Sequence, residues 1–386
     1  MSMLTKKYDY LVVGSGLFGS VFAHQARQAG KRCLVVEKRS HLGGNVHCQQ
    51  VEGITVHQYG AHIFHISNKE VWDFVNRLVD FHSYVHSPVA FYRGKEYALP
   101  FNMNTFQQMW GVTTPEEAMR IIEEQRIAAS AGVEGAPHNL EEQALQMVGS
   151  DIYEVIVKGY SEKQWGRPCT ALPPFLIRRL PLRFVFDNNY YNDTFQGIPV
   201  GGYNRLIDAL LDGVETRVDT DFLAHREELA SLAECVVYTG SLDAFYDFRF
   251  GPLQYRTVYF EQEVLDTPDF QGRSVVNYTD REVPYTRIIE HKHFECFGQA
   301  VCENPKTVIS KEYSVEFKEG MERFFPINDE SNTALYARYK ALADREEKVF
   351  FGGRLADYRY HDMAPTIEQA LALANRLGLP ALNSKL

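Results

Sequence analysis

The stretch Tyr8-Asp9-Tyr10-Leu11-Val12-Val13 runs straight into Gly14-Ser15-Gly16-Leu17-Phe18-Gly19, and a second apolar run, Cys33-Leu34-Val35-Val36, ends on Glu37. The order is strand, glycine turn, helix, strand, acid. Each part answers a physical need of dinucleotide binding: Gly14 permits the tight turn, Gly16 lets backbone approach a pyrophosphate, Gly19 lets helix and sheet pack closely, and Glu37 accepts from ribose hydroxyls. The helix N-terminus supplies the positive end that faces phosphate. A bare Gly-x-Gly-x-x-Gly is weak, but here the flanking strand, the helix and the acid eighteen residues past Gly19 all agree.

Beyond Glu37 the chain reads Lys38-Arg39-Ser40-His41-Leu42-Gly43-Gly44-Asn45. A glycine pair placed just after the ribose-binding acid is similar to that of the flavin oxidoreductase and amine-oxidase class, where it passes beneath the flavin side of the cofactor. That resemblance implies FAD rather than NAD.

At 386 residues the chain is long enough for two or three domains. With 45% hydrophobic and 23% charged residues it has the composition of a soluble globular protein. A net charge of −10 argues against a general nucleic-acid surface, so an anionic substrate must meet locally placed arginines. The cysteines, Cys33, Cys48, Cys169, Cys235, Cys296 and Cys302, form no Cys-x-x-Cys pair, which predicts reduced thiols in a cytoplasm. Lys6-Lys7 ahead of an apolar run superficially suggests a signal peptide, but Asp9 and the glycine fingerprint speak against one. No apolar run approaches the length of a membrane span.

Periodicity predicts short strands over 51–65 and a helix over 68–79. Helical texture follows from about Thr113 to Trp165, with starts marked by Thr114-Pro115 and Glu117 and by Asn139 and Glu142. Pro173-Pro174 and Pro181 bracket an arginine-rich connection carrying Arg178 and Arg179. Alternating stretches at 255–264, 274–278, 285–293 and 307–317 then suggest an antiparallel sheet. Two buried runs, 235–240 and 349–354, look like strands returning to the first domain, and a last helix begins near Pro365. The expectation is an α/β protein: a discontinuous Rossmann-type FAD-binding domain (1–85, 200–245, 335–386) with an inserted helical domain (100–180) and an antiparallel β-sheet domain (181–199 with 246–334).

Lys158-Gly159-Tyr160-Ser161-Glu162-Lys163-Gln164-Trp165-Gly166 sets aromatics at a helix end, where they can stack on a base or sugar. This stretch resembles the signature of the bacterial UDP-galactopyranose mutase family. So do residues 59–65 (Tyr-Gly-Ala-His-Ile-Phe-His), 99–106 (Leu-Pro-Phe-Asn-Met-Asn-Thr-Phe), 187–190 (Asp-Asn-Asn-Tyr), 284–287 (Pro-Tyr-Thr-Arg) and 352–355 (Gly-Gly-Arg-Leu). The resemblance covers nearly the whole chain. It implies an isomerase that interconverts UDP-galactopyranose and UDP-galactofuranose without net redox change, through a covalent flavin N5–sugar intermediate, and supplies galactofuranose for cell-surface polysaccharide. It also implies FAD active in the reduced form, primed by NAD(P)H or another reductant, and a cytoplasmic homodimer.

The resemblance assigns roles residue by residue. Arg179 and Arg287 hold the diphosphate, which suits the bidentate arginine fork. Tyr160, Trp165, Tyr190 and Tyr360 line the substrate side. His62 and His65 lie close to the flavin and, with Arg179 and Arg287, are the catalytic residues, while Arg354, Asp362 and Met363 join His62, Gly14, Gly16, Phe18, Gly19, Glu37, Lys38, Gly43, Gly44 and Asn45 at the cofactor. Where the family shows Tyr-Tyr-Pro this chain has Phe324-Phe325-Pro326, and the missing hydroxyl is expected at Phe324. The histidine pairs His57/His62/His65 and His291/His293 lack a completed tetrahedral set, so no metal is expected. Two other readings stay open: a flavin oxidoreductase with net turnover, and a flavoprotein-like escort protein that binds without catalysis.

Overall fold

The computed structural model describes residues 6–130, 135–178, 180–295 and 300–379. Arg179 and Cys296 lie outside the described residues. The opening motif builds the centre of a five-stranded parallel sheet in the order Glu215–Arg217, Cys33–Val36, Tyr8–Val13, Ala233–Tyr238, Val349–Phe351. Strands buried on both faces need apolar residues in both directions. Accordingly Val12, Val35 and Val237 pack under the helices Leu17–Gln28, Tyr203–Leu211 and Met363–Arg376, while Leu11, Leu34, Val36, Val236 and Tyr238 pack against Phe222, Leu229 and Phe245 on the other side.

A second sheet of seven strands runs Phe325–Pro326, Tyr255–Leu265, Thr307–Glu316, Arg287–Glu290, Val275–Tyr278, Val89–Tyr92, Lys95–Ala98. It is antiparallel except where Val275–Tyr278 pairs with Val89–Tyr92. The expected stretches 255–264, 274–278 and 307–317 supply strands of it, while 285–293 supplies only Arg287–Glu290 before turning into the 3-10 helix His291–Phe294. The strand Phe195–Pro199, grouped by sequence with this sheet, instead pairs with Phe64–Ile66 and Phe81–Ser83 in a small third sheet. Its apolar run carries no record of which edge it joins, and partner choice is a tertiary matter.

The helical part begins with the helices Met103–Trp110 and Pro115–Ser130. The Glu117 amide donates to the Thr114 hydroxyl at 3.3 Å while the Glu117 carboxylate accepts from the Thr113 and Thr114 amides at 3.0 and 3.1 Å, the reciprocal cap expected from sequence. The helix Leu140–Ile152, capped by Asn139 through the Glu142 amide at 2.9 Å, passes into a π-helical turn, Tyr153–Lys158, and on into Gly159–Trp165. Cys33, Cys48, Cys169 and Cys235 are free. Cys302 is disulfide-bonded, which corrects the expectation of thiols throughout. That expectation rested on local spacing, and a bridge depends on loop geometry that spacing does not encode. Among the described residues no helix is long and apolar enough to cross a membrane.

Candidate active site

The glycine turn is built as its sequence demands. Gly14 has φ +100, and a Cβ there would sit 2.1 Å from the Thr239 hydroxyl oxygen; a Cβ on Gly19 would sit 2.0 Å from the Gly14 carbonyl oxygen. Gly16 caps the helix Leu17–Gln28 without a side-chain cap and has no atom within 4 Å of its Cβ position, leaving a helix N-terminus open to an anion. Glu37 is buried, with Oε2 accepting from the Ser15 amide and hydroxyl at 2.9 and 2.7 Å and Oε1 from the Arg39 amide at 3.1 Å. The Gly43-Gly44 pair folds back onto the same turn: the Gly43 amide donates to the Ser15 hydroxyl at 3.2 Å, and a Cβ on Gly44 would come within 3.0 Å of Gly16 Cα.

Three neighbours of this cradle take different parts. Phe18 is buried, its ring filling the space against Gly352 and Gly353 of the returning strand. Lys38 is exposed and pairs with Glu322 at 3.4 Å. Arg39, which the sequence reading passed over, is mostly buried, bonds Asn45 Oδ1 at 3.0 Å and Glu322 at 2.8 Å, lies 4.5 Å over the Tyr59 ring, and keeps Nη1 without a hydrogen-bond partner.

A cavity of about 1520 Å³ opens beside the seven-stranded sheet, against the helix Gly159–Trp165. Its wall brings together, from every part of the chain, His62, His65, Tyr160, Trp165, Tyr190, Arg287, Arg354, Tyr360, Asp362 and Met363. The expected substrate-side residues therefore converge, with two exceptions: Arg179 lies outside the described residues, and Phe324 faces elsewhere. Phe324 is buried near Tyr59, ring centroids 6.5 Å apart, and lines a separate cavity of about 380 Å³. Phe325 is the ring on the large cavity, stacked on Tyr360 at 5.5 Å and 6.4 Å from Trp165. Successive strand residues face opposite sides, so only one of the pair can look into the cavity.

The helix carrying Tyr160 and Trp165 is pinned to the large sheet from both directions. Lys163 Nζ donates to the carbonyls of Tyr278, Val283 and Tyr285 at 2.6, 3.0 and 2.9 Å. In return the Arg256 guanidinium and the Ser314 hydroxyl donate to the Gln164 carbonyl at 3.2 and 2.6 Å. Gly159 lies so close to the sheet that a Cβ would stand 2.2 Å from the Thr279 carbonyl oxygen. The two walls holding Trp165 and Arg287 are thus a single unit.

Arg287 pairs with the buried Glu312 at 2.9 Å. Burial works against its charge, but Glu312, with Tyr160 and Tyr360, raises the guanidinium above its ordinary pKa and keeps it cationic. Arg354 is pushed down by burial, offset by Tyr360 and Asp362; it donates to the Phe324 carbonyl at 2.6 Å, covers the Tyr360 ring at 4.2 Å, and keeps Nε without a partner. His62 is pushed down to about 4 by burial, with Arg354 and Arg287 adding to the effect. Its Nδ1 lies 2.7 Å from the Gly60 carbonyl, which can only accept, so Nδ1 carries the proton and Nε2 is an acceptor. Behind it, His57 Nδ1 accepts from the His62 amide at 3.2 Å.

These residues fit FAD. An open helix N-terminus and a buried ribose acceptor stand at one end; at the cavity wall, Arg354 has an unsatisfied nitrogen, and the helix Met363–Arg376 starts at Asp362 without a side-chain cap hydrogen bond. Among the described residues the one cluster with metal-ligand spacing, Asp269, Glu290 and His293, lies outside the cavity wall.

The fold and site define a dinucleotide-binding α/β protein of the flavoprotein kind with a cavity lined by arginines and aromatic rings. The chain belongs to the UDP-galactopyranose mutase family. That family's profile matches residues 155–360, and a profile for an NAD(P)-binding Rossmann-like domain matches residues 12–78. The "Probable UDP-galactopyranose mutase" of Klebsiella pneumoniae is 39% identical over 95% of this chain and 94% of its own length. The dTDP-fucopyranose mutase of Escherichia coli is 37% identical over 94% and 97%. Among solved structures, a reduced UDP-galactopyranose mutase superposes with TM-score 0.72 at 14% identity, covering 97% of this chain and 94% of that one, which supports the fold.

Proposed function

We propose that the protein interconverts UDP-galactopyranose and UDP-galactofuranose with reduced FAD held between Gly14–Asn45 and the Arg354, Asp362 and Met363 wall. The observation that carries this reading is the meeting of a charged Arg287 with Tyr160, Trp165, Tyr190 and Tyr360 around one cavity whose wall also holds Arg354, Asp362 and Met363. Reduced FAD supplies a nucleophile for the anomeric carbon. The protein's own part is to hold the UDP leaving group and to keep the sugar aligned while it is detached. Arg287 binds the diphosphate, joined by Arg179; Trp165 and Tyr160 offer ring faces to the uridine side; His62 offers an acceptor at Nε2. The same reading carries a cytoplasmic homodimer primed by NAD(P)H or another reductant.

The test is a chromatographic assay of dithionite-reduced, flavin-loaded protein with each UDP-sugar. Interconversion without stoichiometric oxidation is expected, and its absence removes the reading. A second substrate pair is favoured by one observation: the dTDP-fucopyranose mutase is nearly as similar as the Klebsiella relative, 37% against 39%. Running dTDP-fucopyranose beside UDP-galactopyranose and comparing kcat/KM decides between them.

A further inference from the structure

His65 stands on the cavity wall with its imidazole fixed from three directions. Nδ1 donates to Asp193 Oδ2 at 2.6 Å; the other Asp193 oxygen accepts from the Ser67 hydroxyl at 2.8 Å; Tyr191 stacks on the ring at 3.6 Å and 12°. The pairing of Phe64–Ile66 with Phe195–Pro199 sets the backbone of His65 opposite Gln196. With Nδ1 committed to the carboxylate, Nε2 is the nitrogen left for the cavity, and Asp193 lines that cavity too.

The contrast with His62 decides what this imidazole can do. A neutral carbonyl stands behind Nδ1 of His62, so a proton arriving at Nε2 finds no compensating charge. His86, on the same wall, is buried and pushed down to about 3 by burial and by Arg287 and His65. Behind His65 stands a carboxylate, which stabilises the imidazolium formed when Nε2 takes a proton. The titratable groups facing His65 are Asp193, Tyr191 and His86, with Arg287 and Asp362 acting beyond them on Tyr191.

Resting on the function proposed above, exchange of a six-membered for a five-membered ring breaks the bond from C1 to one sugar oxygen and forms one to another. The released oxygen gains a proton and the closing hydroxyl loses one, so protons and electrons balance without an outside donor. We propose that His65 is the catalytic residue that carries this proton, giving it from Nε2 to the released oxygen as the first ring opens and recovering it there from the closing hydroxyl as the second ring forms, and that Asp193 is the positioning residue that orients the imidazole and stabilises its charged form.

The test uses the FAD-loaded enzyme and three variants. His65→Gln is expected to lower kcat about 10²–10⁴-fold, the usual span for a lost acid–base group. Asp193→Asn should lower kcat with little change in KM, in FAD content or in the affinity for UDP; Asp193→Glu should restore part of the rate. A purely structural role would instead lower FAD content and thermal midpoint together, with no rescue by Asp193→Glu, which overturns the proposal, as does either variant with wild-type kcat. Nitrogen-15 spectra of labelled histidine separate this from the mutase reading. If the wild type turns over no sugar nucleotide, that reading fails, yet a neutral His65 protonated on Nε2 would overturn the Asp193 pairing independently of activity.

Discussion

Phe325 puts a phenyl ring where a phenol could meet the diphosphate. It stacks on Tyr360, and the Arg354 guanidinium lies 5.4 Å from its centroid, so a para hydroxyl would enter a cationic wall. A hydrogen bond to a charged group is worth about 1.5–3 kcal/mol. Phe325→Tyr is therefore expected to tighten UDP binding by about tenfold or more, read by titration of the reduced enzyme. Phe324→Tyr, the substitution the bare sequence recommends, should leave UDP affinity within about twofold, because that ring looks toward Tyr59 and the smaller cavity, out of the diphosphate's hydrogen-bonding reach. Equal gains from both variants would mean that the strand's facing is wrong. Glu312 permits a second residue-level test. Glu312→Gln leaves the half-buried Arg287 on the cavity wall without its counter-charge, so UDP affinity should change and stability should fall by about 1–3 kcal/mol, less than the cost of stranding a fully buried charge. An unchanged unfolding midpoint in urea would refute it.

Among the elements, the glycine turn and the helix Gly159–Trp165 depend on backbone approach and on carbonyl capture respectively. Gly19→Ala forces a methyl to within 2.0 Å of the Gly14 carbonyl oxygen, so purified protein should be colourless or unfolded. Lys163→Met strips three carbonyls of their donor, and burial already pushes the Lys163 ammonium down to about 8. The expected loss is about 2–4 kcal/mol of stability, with UDP binding weakened about tenfold as Trp165 and Arg287 lose their common frame. Trp165 fluorescence during a UDP titration reads the second effect directly; an unaltered Kd would show that the frame survives without Lys163.

The same two elements show how much was legible beforehand. The cradle Gly14 to Glu37 could be read because each glycine answers a local steric demand, and the cap at Thr114 because both partners lie within one turn. Glu312, Asp193 and Arg39 could not be read, since each acts through a partner 25, 128 or 283 residues away in sequence, Arg287, His65 and Glu322. Position 324 was chosen over 325 because a motif gives no strand facing until the neighbours Tyr59 and Tyr360 are placed. Residues 181–199 group by sequence with the large sheet, yet the strand Phe195–Pro199 within them pairs with Phe64–Ile66 and Phe81–Ser83, partners that nothing local in the sequence names.

At the scale of the whole molecule, the seams between the sheets are filled with uncharged histidines, and this ties stability to pH. His57, His62, His86 and His291 all have pKa values lowered chiefly by burial, to about 4 for His62 and about 3 for His86 and His291. In the unfolded chain each titrates near 6.5. A lowered folded pKa means that below pH 6.5 the unfolded state binds protons the folded state refuses, so stability falls with falling pH through that window. His293 opposes this. Its hydrogen bond to Glu290 raises its pKa, so its contribution is full below 6.5 and is lost as pH rises. His24, His47 and His82, also lowered chiefly by burial, act in the same direction as those four, so a net loss on acidification remains. Each buried histidine contributes at most about 1.4 kcal/mol per pH unit, giving a ceiling of about 5 kcal/mol per unit for the four. With an unfolding entropy of roughly 0.8 kcal/mol/K for a chain of this length, the thermal midpoint of the FAD-loaded protein should drop by several degrees per unit between pH 6.5 and 4.5 and stay nearly level from 7 to 8. A single titratable group removed by His86→Gln should take at most about a quarter off that slope. A midpoint that stays flat from pH 7 to 5 would mean that these imidazoles gain protons in the folded state, and with it that the cavity wall around His62 is wetter than its packing against Arg354 and Arg287 implies.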